Sequence, residues 1–185
     1  DGVLSDPMSC NFRAEEIACK GANRDGCLSK QELAAVDMVR DGTTMGVSRS
    51  PGHSWGSEQG WSATYAASTN TNGLASGIYG LASEVHRYFL GGGADWTYQQ
   101  YDAAKVAQAW EPLHGTLIPD SRDLSAFRAR GGKLLMYHGW QDPLLTPLGS
   151  VSYVEKVYAP DPAARSDVRL FMVPGVHHCY RGPGP

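Results

Sequence analysis

The chain predicts an α/β fold in which a loop-rich N-terminal stretch precedes the last part of a parallel sheet. Three observations carry this. Residues 133–137 (KLLMY) and 168–173 (VRLFMV) are short apolar runs of strand length, each entering a turn-rich loop. Between them, residues 147–158 place Val151, Val154 and Val157 at helical spacing. Strand, helix and strand in that order form a βαβ unit, which joins parallel strands. Two parallel strands do not stand alone, because a parallel sheet is normally covered on both faces. Residues 1–116 supply no obvious further strand. They read as an insertion or lid, and residues 117–185 as the C-terminal segment of the sheet domain.

Taken in order, residues 1–29 are turn-rich. Ser29-Lys30-Gln31-Glu32 is a capping box that starts a helix running to about Arg40, and Asp41-Gly42 ends it. Residues 42–75 are rich in Gly, Ser, Thr and Asn around Trp55, Trp61 and Tyr65, and predict a long irregular stretch of the kind used for binding loops or lids. Residues 81–90 (LASEVHRYFL) and 101–110 read as helices, with Gly91-Gly92-Gly93 breaking the first. Residues 124–130 form a short helix, Gly131-Gly132 a turn, and Pro160 and Pro162 stop the helix of the βαβ unit.

The 185 residues can bury a core and make about one domain, with 42% hydrophobic residues alongside 22 glycines and 11 prolines. The net charge of −3 offers no basic stripe for nucleic acid, and no apolar run has membrane-spanning length. The chain opens on Asp1 in mid-motif without a methionine, as a processed or truncated piece would. Four cysteines suggest two disulfides and an oxidising, secreted or periplasmic setting. Cys19 and Cys27 are near enough in sequence to close a small loop. Cys10 and Cys179 could pair with each other, or each with a partner outside the chain. Four buried free thiols are the plain alternative.

The chemistry lies at the strand ends. Asp142 follows the first strand after HGWQ, and His178 follows the second after PGVH. Open α/β sheets carry their active sites at the carboxyl ends of strands. An acid and then a histidine on successive strands is how an α/β-hydrolase presents two members of a Ser-Asp-His triad. His177 competes with His178 as the base. A metal role for the histidine pair is weak, since adjacent side chains at a strand end point apart. His138 and His86 have no evident role.

The order demands an upstream serine. Ser54 in Gly52-His53-Ser54-Trp55-Gly56 matches G-x-S-x-G, but a nucleophile elbow needs a buried strand before it and a helix after it. Here the flanks are MGVSRSP and SEQGWS. The run from Asn23 through Asp25 and Gly26 to Glu32 imitates an EF-hand loop, yet its first position is Gly21, so the leading carboxylate is missing. A disulfide loop leading into a capped helix explains it better.

The runs GGKLLMYHGWQDPLLTP and VRLFMVPGVHHCYRGPGP resemble the C-terminal part of the tannase and feruloyl esterase family. DGVLSDPMSCNF, ACKGANRDGCLSKQELAAV and GSEQGW resemble that family's lid, so the likeness spans nearly the whole chain. The resemblance implies a serine carboxylesterase acting on esters of aromatic acids of gallate or hydroxycinnamate type. It makes Asp142 the triad acid and His178 the base in preference to His177, which departs from the small residue usual there. The nucleophile, carried on a Cys-Ser elbow, and the oxyanion hole would lie upstream, outside this chain, leaving the chain alone inactive. Cys179 would pair with the elbow cysteine and Cys10 with another upstream cysteine, while Cys19 and Cys27 would pair with each other. Asp1 and the Val3 carbonyl would be the last ligands of a structural calcium ion whose other ligands precede residue 1. The expected partners are therefore the aromatic ester and the N-terminal part of the same protein. Trp55, Trp61, Tyr65, Tyr88, Phe89 and Trp96 are candidates for an acyl pocket, though lid core is the simpler expectation for any one of them. Two other readings are a self-contained hydrolase using Ser54 and a non-catalytic, calcium-dependent lid or binding module.

Overall fold

The computed structural model describes residues 2–184 except 23, 46–47, 66–76, 119 and 179, so Asp1, Asn23 and Cys179 lie outside the described residues. The N-terminal region begins with two short 3-10 turns, Pro7–Ser9 and Ala14–Ile17. Helix α1 (Lys30–Asp41) follows its capping box: the Ser29 hydroxyl accepts from Glu32 N, and the Glu32 carboxylate accepts from Ser29 N. A disulfide joins Cys19 to Cys27 just before it, and across the same loop Cys19 N donates to Leu28 O while Leu28 N donates to Ile17 O.

Residues 42–75, expected to be irregular, contain an antiparallel pair, β1 (Thr43–Met45) and β2 (Ser48–Ser50). These triplets have no apolar alternation, so backbone pairing alone defines them. After β2 the chain turns at Gly52, where an added Cβ would lie 1.6 Å from the Arg40 carbonyl oxygen. Only glycine allows that approach, which lets His53 N donate to Val39 O at 3.0 Å. Then come a 3-10 turn (Glu58–Gly60), α2 (Trp61–Thr64) and α3 (Gly77–Tyr88). Helix α4 (Ala103–Leu117) starts at an Asp102 cap that accepts from Ala104 N and Lys105 N. It runs seven residues past the expected end, continuing through Pro112 even though that residue lacks the N–H for one helical bond. The expected boundary at residues 116/117 thus falls in the last turn of α4.

The C-terminal region is the βαβ unit. After α5 (Ser125–Ala129), β3 (Leu134–Gly139), α6 (Pro147–Tyr158) and β4 (Val168–Val173) follow in turn. The strands are parallel, with Leu134 opposite Val168 and Gly139 opposite Val173. Val157, Ala164 and Val168 form the tightest core, with Leu124, Leu134, Tyr153 and Tyr158 packed around it. Arg128 and Lys133 both pair with Asp167, and Arg128 also with Asp161, tying α5 to the turn before β4.

One face of the sheet is therefore packed on α6. The other carries Leu135, Tyr137 and Phe171 at 70%, 62% and 55% exposure. This is the half-covered sheet that the two-strand pattern implies. No helix of the described residues is long and apolar enough to cross a membrane.

Candidate active site

The loops after β3 and β4 meet at their carboxyl ends, as strand order requires. Gly139 makes the contact possible: a Cβ there would lie 2.1 Å from the Val176 carbonyl oxygen. The approach lets Trp140 N donate to Val173 O at 2.9 Å and Gln141 N to Val176 O at 3.2 Å. Gln141 then bridges both ways, its Oε1 accepting from Gly175 N and its Nε2 donating to Leu4 O.

Asp142 sits at the centre, with only 2% of its side chain exposed. Its Oδ1 accepts from Leu144 N at 2.8 Å and Leu145 N at 2.9 Å. Its Oδ2 lies 2.8 Å from His178 Nδ1 and 3.1 Å from His138 Nε2. Burial alone would raise the carboxyl pKa. The hydrogen bonds from His138, His178, Leu145 and Leu144 together outweigh it and hold the group at about 2. The acid is thus ionised at any working pH. The His178 side chain is 39% exposed, and with Nδ1 directed at Asp142 its Nε2 is the nitrogen left for proton transfer. Of the two adjacent histidines, His178 is the one that reaches Asp142, while His177 Nε2 is buried without a partner among the described residues.

The N-terminal region braces the acid loop. Thr146 Oγ1 donates to Gly52 O at 2.6 Å, Ser54 Oγ to Trp140 O at 3.2 Å, and His53 Nδ1 lies 3.1 Å from Asp142 O. A carbonyl only accepts, so His53 Nδ1 carries the hydrogen and Nε2 accepts from Tyr65 OH at 2.6 Å. Burial pushes the His53 pKa below its ordinary value, in keeping with this neutral tautomer, although the Asp142 carbonyl and carboxylate pull the other way. The GHSWG segment is accordingly a brace. Ser54 is buried, follows the polar strand β2 and precedes a 3-10 turn, and its hydroxyl is directed at a main-chain carbonyl.

The roles of His138 and His53 escape a reading of the sequence. For His138 a signal existed in the H-x-x-x-D spacing across a strand end, where the turn at residues 139–142 folds the acid back onto the histidine. For His53 there was none, because the contact spans 89 residues.

A cavity of about 790 Å³ lies on the His138 side of Asp142, lined by His53, Tyr65, His138, Leu144, Leu145 and Val39 among others. Of the six candidate aromatics only Tyr65 lines it. Trp55 and Trp61 border a separate cavity of about 560 Å³ with Phe12. Trp96 is buried and stacks on His86 with centroids 4.1 Å apart, which gives His86 a packing role. Tyr88 and Phe89 are exposed, outside any core. Among the described residues no cluster of three or more His, Cys, Asp or Glu side chains could hold a metal ion. Val3 could offer one carbonyl oxygen, far short of the roughly six to eight that calcium takes, so the described residues make no calcium site by themselves.

Fold and acid–histidine geometry together define the C-terminal part of an α/β-hydrolase. The chain belongs to the tannase and feruloyl esterase family, whose model it matches over residues 1–185. It is 29% identical to an uncharacterised esterase of Xanthomonas campestris pv. campestris and 28% identical to feruloyl esterase B of Aspergillus niger. Both alignments cover 100% of this chain, and they cover 37% and 35% of those proteins. The crystal structure of an esterase from Aspergillus oryzae superposes with a TM-score of 0.82 at 28% identity, covering all of this chain and 36% of that one. The chain thus spans about a third of the length of the relatives it matches.

Proposed function

We propose that this chain is the lid and acid–base half of a secreted or periplasmic serine carboxylesterase that hydrolyses esters of aromatic acids of gallate or hydroxycinnamate type. The observation that carries the reading is the 2.8 Å contact between His178 Nδ1 and the buried Asp142 carboxylate at the ends of two parallel strands. The nucleophilic serine and the oxyanion hole come from the part of the protein that precedes this chain. His178 Nε2 takes the serine proton as the hydroxyl oxygen attacks the ester carbonyl, and returns it to the departing alcohol. It then deprotonates the water that attacks the acyl group and gives that proton to the serine oxygen as the acyl–serine bond breaks and the acid leaves. Asp142 holds the tautomer and stabilises the imidazolium throughout.

Three features support a second segment. The family's members are about three times as long. The uncovered sheet face carries Leu135, Tyr137 and Phe171 where a parallel sheet needs a covering layer. Cys10 is free, and it and Cys179 would form disulfides with that segment. Asp1 and the Val3 carbonyl would complete a structural calcium site with oxygens from the same segment, a hard-cation role outside the reaction steps.

The test is hydrolysis of methyl ferulate and methyl gallate by the whole protein. Asp142→Asn puts an amide N–H against the two imidazole N–H groups and should lower kcat roughly ten-thousandfold, as loss of the tautomer-fixing carboxylate does elsewhere. Full activity in His178→Ala would remove His178 as the base.

A further inference from the structure

Asp142 is gripped by one more histidine than a triad needs. His138 projects from β3 on the side that faces α6, four residues before the acid. Its Nε2 lies 3.1 Å from Asp142 Oδ2 and 3.2 Å from the Leu145 carbonyl oxygen. Both partners are acceptors at neutral pH, so this nitrogen carries a hydrogen. Its Nδ1 lies 2.8 Å from Ser150 Oγ, in the first turn of α6. A neutral ring in the Nε2–H tautomer satisfies all three contacts, with the Ser150 hydroxyl donating to Nδ1.

The same oxygen, Oδ2, serves His178. With Oδ1 held by two main-chain amides and Oδ2 approached from both sides, the carboxylate has no freedom to rotate away from the base. We propose that His138, set in its tautomer by Ser150, is a positioning residue for Asp142: it fixes the orientation of Oδ2 and thereby the alignment of the His178 ring. Ser150, His138, Asp142 and His178 form one continuous chain of hydrogen bonds from α6 to the exposed edge of the His178 ring. His138 also borders the cavity of about 790 Å³, so a substrate contact is the competing role, and the two roles have different kinetic signatures. This inference rests on the esterase reading for its kinetic arm only.

The experiment compares His138→Phe, His138→Gln and Ser150→Ala in the whole protein. A hydrogen bond to a charged group is worth roughly ten- to a hundredfold in an equilibrium or rate constant. His138→Phe should therefore lower kcat on methyl ferulate by about that factor while KM stays within about twofold. His138→Gln places an amide N–H near the position of Nε2 and should recover most of the loss. Ser150→Ala frees the tautomer and should show a smaller fall in kcat at unchanged KM. The proton shared by His178 Nδ1 and Asp142 should give a low-field proton resonance that shifts or broadens in His138→Phe and is restored in His138→Gln. The glutamine and alanine variants disturb packing little, so they decide the matter if phenylalanine at 138 prevents folding.

An active esterase in which all three variants keep kcat and the resonance unchanged overturns the proposal. A rise in KM at unchanged kcat also overturns it, in favour of substrate contact. A protein without esterase activity whose resonance still responds to His138→Phe and recovers in His138→Gln supports the positioning role while refuting the esterase reading.

Discussion

His53 joins the N-terminal region to the main chain of the acid itself, and it does so in one protonation state. Its Nε2 accepts from Tyr65 and its Nδ1 donates to the Asp142 carbonyl, so a second ring proton would reverse the Tyr65 bond and leave the phenol hydrogen to find another acceptor. Burial lowers its folded pKa below 6.5, so the unfolded chain binds the proton first as pH falls. Its contribution is complete above about 6.5 and erodes below that value until the folded pKa is reached. Melting temperature should decline between pH 7 and pH 5, and His53→Asn, which keeps a donor toward Asp142, should flatten that decline. Asp142 works in a lower window: with its pKa held at about 2 against 3.8, its contribution is present above 3.8 and is lost as pH falls toward 2. Ser54→Ala leaves the Trp140 carbonyl without its donor and should cost about 1 kcal/mol. Thermal melts of the variant beside assays of the whole protein would separate that brace from a nucleophile, whose removal would abolish turnover. Asp142 and His178 were legible because each lies in the short loop that follows an apolar strand. His53 was not, because its role depends on the packing of two regions far apart in sequence.

Among the elements, the βαβ unit was legible because three signals agree: apolar runs, valines at helical spacing, and proline stops. The β1–β2 pair was not, since Thr43–Met45 and Ser48–Ser50 carry no alternation to read. The extent of α4 was hidden for the opposite reason, a proline that the helix tolerates. What the pattern of elements also conceals is how tightly the two strand ends approach. Gly139 closes β3 and faces the Val176 carbonyl too closely for any Cβ, so Gly139→Ala must push the His178 loop away from Asp142. Relief of that overlap should cost roughly 1–3 kcal/mol in stability. Because the His178–Asp142 contact tolerates little displacement, activity should fall by about a hundredfold or more. Loss of activity larger than the loss of stability accounts for, measured at a temperature where the variant is folded, is the expected signature.

At the scale of the molecule, one sheet face is packed and the other is bare. Leu135, Tyr137 and Phe171 form an apolar row on the bare face of β3 and β4. Side chains of this kind clustered on a sheet mark a surface that another layer covers. The greater length of the relatives leaves room for such a layer, and under the proposed reading the free Cys10 would tether it. Prepared alone, the chain should bind a hydrophobic dye strongly and resist labelling by a fluorophosphonate, since it lacks the proposed nucleophile. The whole protein should bind the dye weakly and be labelled outside residues 1–185. Leu135→Glu distinguishes a covered face from one that merely happens to be apolar. On a face left in water the charge is tolerated within about 0.5 kcal/mol, whereas under a covering layer it is a buried, unpaired carboxylate costing several kcal/mol. Destabilisation of the whole protein by Leu135→Glu, with little effect on the isolated chain, would show that β3 and β4 are covered on both faces. Equal tolerance in both would mean that the bare face is a true surface, and the nucleophile would then have to approach the His178 edge without packing on these strands.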